Sequence, residues 1–174
     1  MVRLVFCAFV ILASTSVRGQ QSTVLEDIRN ELFYTTINLE KCTAFYQKVL
    51  GAGESSATLT AYQAAAKALI AKHSWNPVTK LSSLKNVQKL LTEAVTAEQD
   101  NLEIRFLRFY IENSIPSYLG FSKNMKEDGD ILASNIDNVD KMNLDKGISE
   151  YIIEYVESTQ TNDKKKLKSG ILNP

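Results

Sequence analysis

The chain has 174 residues, 44% of them hydrophobic and 23% charged, with 20 Lys and Arg against 20 Asp and Glu. That length suits one ordinary domain, and the balanced charge excludes a generic nucleic-acid binder, which needs a basic excess to neutralise phosphates. Seven Gly and three Pro rule out collagen-like and low-complexity chains, and two Cys rule out a disulfide-stapled scaffold.

The N-terminus reads as an export signal. Arg3 precedes an uncharged apolar run, Leu4 to Ala13, and the small polar stretch Ser14 to Gly19 follows, with cleavage expected before Gln20 or Gln21. A membrane span takes about 20 apolar residues, so no stable membrane insertion is expected once the signal is removed. The expected organisation is a signal peptide over 1–19, a helical domain over 20–158 and a flexible, Lys-rich polar tail over 159–174. The twelve Asn include no N-x-[ST] acceptor, which favours a bacterial periplasm, with secretion as the other destination.

In chain order, Thr23-Val-Leu-Glu26 has the pattern of a capping box. Leu25, Ile28, Leu32, Thr35, Leu39, Cys42, Tyr46 and Val49 then recur at alternating spacings of 3 and 4, which predicts one long helix ending at Gly51-Ala-Gly53. A second, alanine-rich helix starts near Ser56 and breaks at Trp75-Asn76-Pro77. A third is expected from about Thr79 to Gln99, and a fourth from Leu102 to about Ser114, stopped by Pro116. An aromatic, Gly-containing loop leads to a fifth helix capped by Ser122 and reaching Val139. A sixth is expected from about Leu144 to Glu157. No stretch alternates with period two long enough to make a strand. The expected fold is an all-α single domain of about six helices built from antiparallel hairpins, the second and third helices making a faintly tetratricopeptide-like pair.

Few residues offer chemistry. His73 is the only histidine, and both it and Cys42 lie on apolar stripes where packing accounts for them. No G-x-S-x-G elbow, Gly-rich phosphate loop or EF-hand register is present, because Gly129 and Gly147 as sixth residues put Lys126 and Met142 at ligand positions. No catalytic residue, metal or cofactor is therefore expected. The tract Glu103-Ile-Arg-Phe-Leu-Arg-Phe-Tyr-Ile-Glu112 stands apart. Ile104, Leu107 and Ile111 form one apolar line and Phe106, Phe109 and Tyr110 another, so the helix is central and Arg105 and Arg108 must be partly buried. A buried guanidinium requires a carboxylate, and the candidates are Glu112 on the same helix and Glu127, Asp128 and Asp130 on the next. The other reading of the two arginines is a pocket for an anionic ligand.

Asn101-Leu-Glu-Ile-Arg-Phe-Leu-Arg-Phe109, Ile115-Pro-Ser-Tyr-Leu-Gly-Phe121 and Lys126-Glu-Asp128, with Asn76-Pro77 and Lys80-Leu81-Ser82 upstream, resemble an uncharacterised family of small exported all-helical proteins of Gram-negative bacteria. The resemblance spans about Tyr62 to Leu132 and implies a periplasmic or secreted bacterial protein, without supplying catalytic residues. The expected function is a non-catalytic, exported protein-interaction or structural module of unknown partner. The alternative is a carrier or sensor of a small apolar or anionic ligand within the bundle.

Overall fold

The computed structural model describes residues 23–34, 38–53, 56–142 and 144–171, with side chains described as far as Thr159 apart from Leu39 and Asp140. The expected signal segment and its cleavage point lie outside the described residues. Among those described, the fold is all-helical, without a strand. The helices are α1 (23–34), α2 (Leu39–Leu50), α3 (Ala57–His73), α4 (Pro77–Ala97), α5 (Leu102–Asn113), α6 (Met125–Ser134) and α7 (Lys146–Ile171), with 3-10 turns at Ser117–Leu119 and Ile136–Lys141.

Asparagine and serine caps set most of the starts. Ser56 Oγ accepts from the Leu59 amide at 3.1 Å, Asn76 Oδ1 from the Val78 amide at 2.9 Å, and Asn101 Oδ1 from the amides of Glu103 and Ile104 at 3.1 and 3.2 Å. Pro77 follows Asn76 in the first turn of α4, where its missing N–H costs nothing, so α4 begins slightly earlier than expected.

Five expectations are corrected. The single long first helix is two helices, because Asn38 is extended (ψ 176°) and its side chain caps α2 through the Lys41 amide. Thr23, expected as a cap, is already helical. The fifth helix stops at Ser134, where the Asn135 side chain turns back to the Ile131 carbonyl, and continues only as the 3-10 turn. Its expected cap, Ser122, instead donates to the Glu112 carbonyl. Finally, α7 runs to Ile171 rather than ending near Glu157, so the expected tail begins inside a helix. Ser158 to Lys168 holds no Gly or Pro to stop it.

Helix α5 is the centre of the molecule. Its Ile104, Leu107 and Ile111 join Ile28, Phe45, Val49, Leu59, Tyr62, Val87 and Leu91 in a core shared by α1 to α4. Its Phe106 and Phe109 face the other way, into a second core with Leu132, Val139, Ile148, Ile152 and Val156. Helices α3 and α4 form the most extensive pair, and the buried Ala61, Ala64, Ala65, Ala66 and Ala71 let their neighbours approach closely. A small third cluster of Ala71, Leu84 and Phe121, backed by Ile115, closes the end of that hairpin.

Candidate functional site

Two apolar sides on α5 leave a narrow stripe between them, and that stripe carries the arginines. Arg105 and Arg108 are buried. Helix α6 runs alongside and inserts Asp128, whose side chain is 0% exposed. Asp128 Oδ1 accepts from Arg105 Nη1 at 2.8 Å and Arg108 Nη2 at 2.7 Å, while Oδ2 accepts from Arg108 Nε at 2.6 Å. Arg105 also donates to Glu127 Oε1 at 2.9 Å and, through Nε, to the Gln99 carbonyl. Two guanidinium charges thus face two carboxylate charges in a closed group, with Arg108 held as a fork on one carboxylate. Gly129 makes the approach feasible, since a Cβ there would sit 3.2 Å from the Phe109 ring.

The remaining candidates lie outside this clamp. Glu112, expected as a partner of Arg108, is buried but accepts from the Asn124 amide at 2.9 Å and from Asn124 Nδ2 at 2.6 Å, so it holds the start of α6. Burial raises its pKa above the ordinary carboxylate value, against the two Asn124 bonds. Glu127 is shifted the opposite way, its pKa lowered by the Arg105 hydrogen bond. Asp130 is exposed and pairs with Lys126 on its own helix at 2.7 Å, because two residues past Asp128 it lies on the opposite face of α6.

A second buried polar group was not foreseen. Glu103 takes a two-pronged bond from Arg29, Nε to Oε1 and Nη2 to Oε2 at 2.7 Å each, and Tyr62 donates its hydroxyl to Oε1 at 2.7 Å. Burial and the neighbouring carboxylate push the Tyr62 phenol well above its usual pKa. The three residues come from α5, α1 and α3, and local sequence offers only an acid in the first turn of α5, which reads as a helix-dipole partner. An open cleft of about 320 Å³ borders this group, lined by Arg29, Thr58, Asp100, Asn101, Leu102, Glu103 and Met142. It lies at the N-terminal end of α5, apart from the Arg105–Arg108 stripe, and its guanidinium and buried carboxylate already bind each other.

Other chemistry is sparse among the described residues. Cys42 is buried, its thiol donates to the Asn38 carbonyl, and burial raises its pKa. No hydrogen bond joins it to His73, the last residue of α3. No group of three or more His, Cys, Asp or Glu could hold a metal ion among the described residues. No buried side-chain nitrogen or oxygen among them lacks a hydrogen-bond partner. No described helix is long and apolar enough to cross a membrane. Comparison with known proteins finds no matching family model, curated protein or solved structure.

Proposed function

We propose that the protein is an exported, non-catalytic helical interaction module, with its buried charges serving the fold and its binding surface at the free end of the α3–α4 hairpin. The export assignment rests on the Arg3 to Gly19 segment. The observation that carries the reading is the exposure at that hairpin end. Trp75 is 96% exposed in the turn, and Val78 and Leu81 on the first turns of α4 are exposed beside it. Apolar groups of this size left in contiguous contact with water mark interaction surfaces. The buried arginines give the ligand-carrier alternative little support, since the charge of each is already met by a carboxylate of the protein.

The test is the triple variant Trp75→Ser, Val78→Ser, Leu81→Ser in the full chain. Its urea midpoint is expected to match the wild type, because exposed side chains contribute little to stability. Its elution from a sizing column, run on native extract of the producing cell, is expected to move from a bound to a free position. Identical elution of both proteins, or a large loss of stability in the variant, contradicts the reading.

A further inference from the structure

The hairpin end has a second finger beside it. Ile115 and Phe121 both pack into the cluster of Ala71 and Leu84 that closes the α3–α4 hairpin. The segment between them must therefore leave that cluster and return to it. Gly120, at φ +75°, makes the return turn that brings Phe121 back into the core. At the outer side of this excursion Tyr118 is 85% exposed, with Leu119 next to it. Trp75 lies in the turn two residues past the end of α3 and four past Ala71, and Leu81 precedes Leu84 by about one turn of α4. Trp75 in the hairpin turn, Val78 and Leu81 on the first turns of α4, and Tyr118 and Leu119 on the excursion thus occupy one end of the molecule.

The two chain segments that build this end are themselves basic. No acidic residue occurs between Glu54 and Glu93, or between Glu112 and Glu127. The same two stretches carry Lys72, Lys80, Lys85 and Lys123, none of which forms an ion pair among the described residues. Flanking acids are engaged elsewhere: Glu112 by Asn124, Glu127 by Arg105 and Asp130 by Lys126. Helices α2 and α7 bring exposed acids toward this end: Glu40, since Lys72 is close enough to act on the Cys42 thiol, and Glu154 and Glu157, since Asn113 at the end of α5 donates to the Tyr155 hydroxyl between them. Four lysines outnumber these three acids.

We infer that this end is a peripheral docking surface for an anionic lipid bilayer, with Trp75 and Tyr118 entering the headgroup layer and the lysines meeting lipid phosphates. The inference rests on the interaction-module reading and names its partner. Trp and Tyr favour the bilayer interface because one part of each ring is apolar and the other polar. Lysines flanking such residues add attraction to anionic headgroups. A protein partner would need a pocket for each of two convex, protruding aromatic tips, whereas a headgroup layer deforms around them. The mode is surface attachment without spanning.

Trp75 is the only tryptophan in the chain, so its fluorescence reports this contact alone. The full chain is mixed with vesicles of phosphatidylcholine and phosphatidylglycerol at 7:3, and with pure phosphatidylcholine. On the anionic vesicles Trp75 emission is expected to shift to shorter wavelength, to be quenched by lipids brominated in the acyl chain, and to revert in high salt. Each lysine at an anionic surface is worth roughly fivefold in partitioning, so the triple variant Lys72→Gln, Lys80→Gln, Lys123→Gln should bind roughly a hundredfold more weakly. Glutamine in place of Lys164, Lys165, Lys166 and Lys168 should leave the shift intact. No blue shift on anionic vesicles, an equal shift on neutral ones, or unchanged binding of the Lys72, Lys80, Lys123 variant overturns the inference. If vesicles leave Trp75 exposed while the Trp75, Val78, Leu81 serine variant still elutes free from cell extract, the module reading stands and the lipid partner falls.

Discussion

Replacing Arg108 with methionine isolates the energetic role of the clamp. Asp128 receives three charge-assisted bonds, and the substitution removes the two from Arg108 Nε and Nη2, leaving one from Arg105 Nη1. Each such bond contributes about 1.5–3 kcal/mol. Breaking a buried pair by deleting one partner costs about 3–5 kcal/mol, which agrees with the loss of two bonds to a carboxylate with no solvent contact. A domain of this size has a total stability of about 5–15 kcal/mol. In urea, at about 2 kcal/mol per M, the midpoint should fall by about 2 M. The double variant Arg108→Met, Asp128→Leu should recover more than half of the loss, because Arg105 keeps Glu127 and the Gln99 carbonyl. If Arg108 instead faced a ligand, the single variant would be unchanged or more stable without that ligand. A loss below about 1 kcal/mol would refute the clamp.

The same geometry makes Glu127 nearly dispensable: its side chain is 57% exposed, so Glu127→Gln should cost less than about 1 kcal/mol in the same urea assay, and a loss as large as that of Arg108→Met would mean the charges are coupled differently. Tyr62→Phe should cost about 1.5–3 kcal/mol by removing a buried donor to the Glu103 carboxylate, and a denaturation curve matching the wild type would contradict that bond. Carboxyl-carbon NMR titration should find Glu112 above the ordinary carboxylate pKa, raised by burial, and Glu127 below it, lowered by Arg105. The linked stabilities then have opposite signs. The Glu127 contribution is present above its unfolded pKa and is lost as pH falls through the lowered folded value. Ionised Glu112 costs stability, and that cost is relieved as pH falls through its raised value. Shifts in the same direction for both groups would rule out these environments.

The sequence made the centre of the fold legible because α5 carries its neighbours in its own pattern. Two apolar lines, with Arg105 and Arg108 between them, require a helix packed on both sides and carboxylates to meet the guanidiniums. The choice among those carboxylates was not legible. Glu112, Glu127, Asp128 and Asp130 all lie within reach by spacing, and the choice is made by how α6 docks on α5, with Asn124 tied to Glu112 and Gly129 close against Phe109. The Arg29–Glu103–Tyr62 group was hidden for the same reason, since its members meet only when α1, α3 and α5 assemble. The division between α1 and α2 was missed because a heptad stripe records which side faces the core and not where the backbone turns. Exposure of Trp75 and Tyr118 was also beyond the pattern: both sit in turns, where periodicity carries no information.

The functional account is tested most directly by site-specific photocrosslinking in the producing cell, with a benzophenone side chain at position 75, at position 118 or, as a control, at exposed position 89 on α4. Position 89 lies about 16 Å along the helix from Val78. Adducts at 75 and 118, absent at 89, are the predicted result, and lipid adducts would identify the bilayer as the partner. Adducts at all three positions alike, or at none, would contradict a binding surface at the hairpin end.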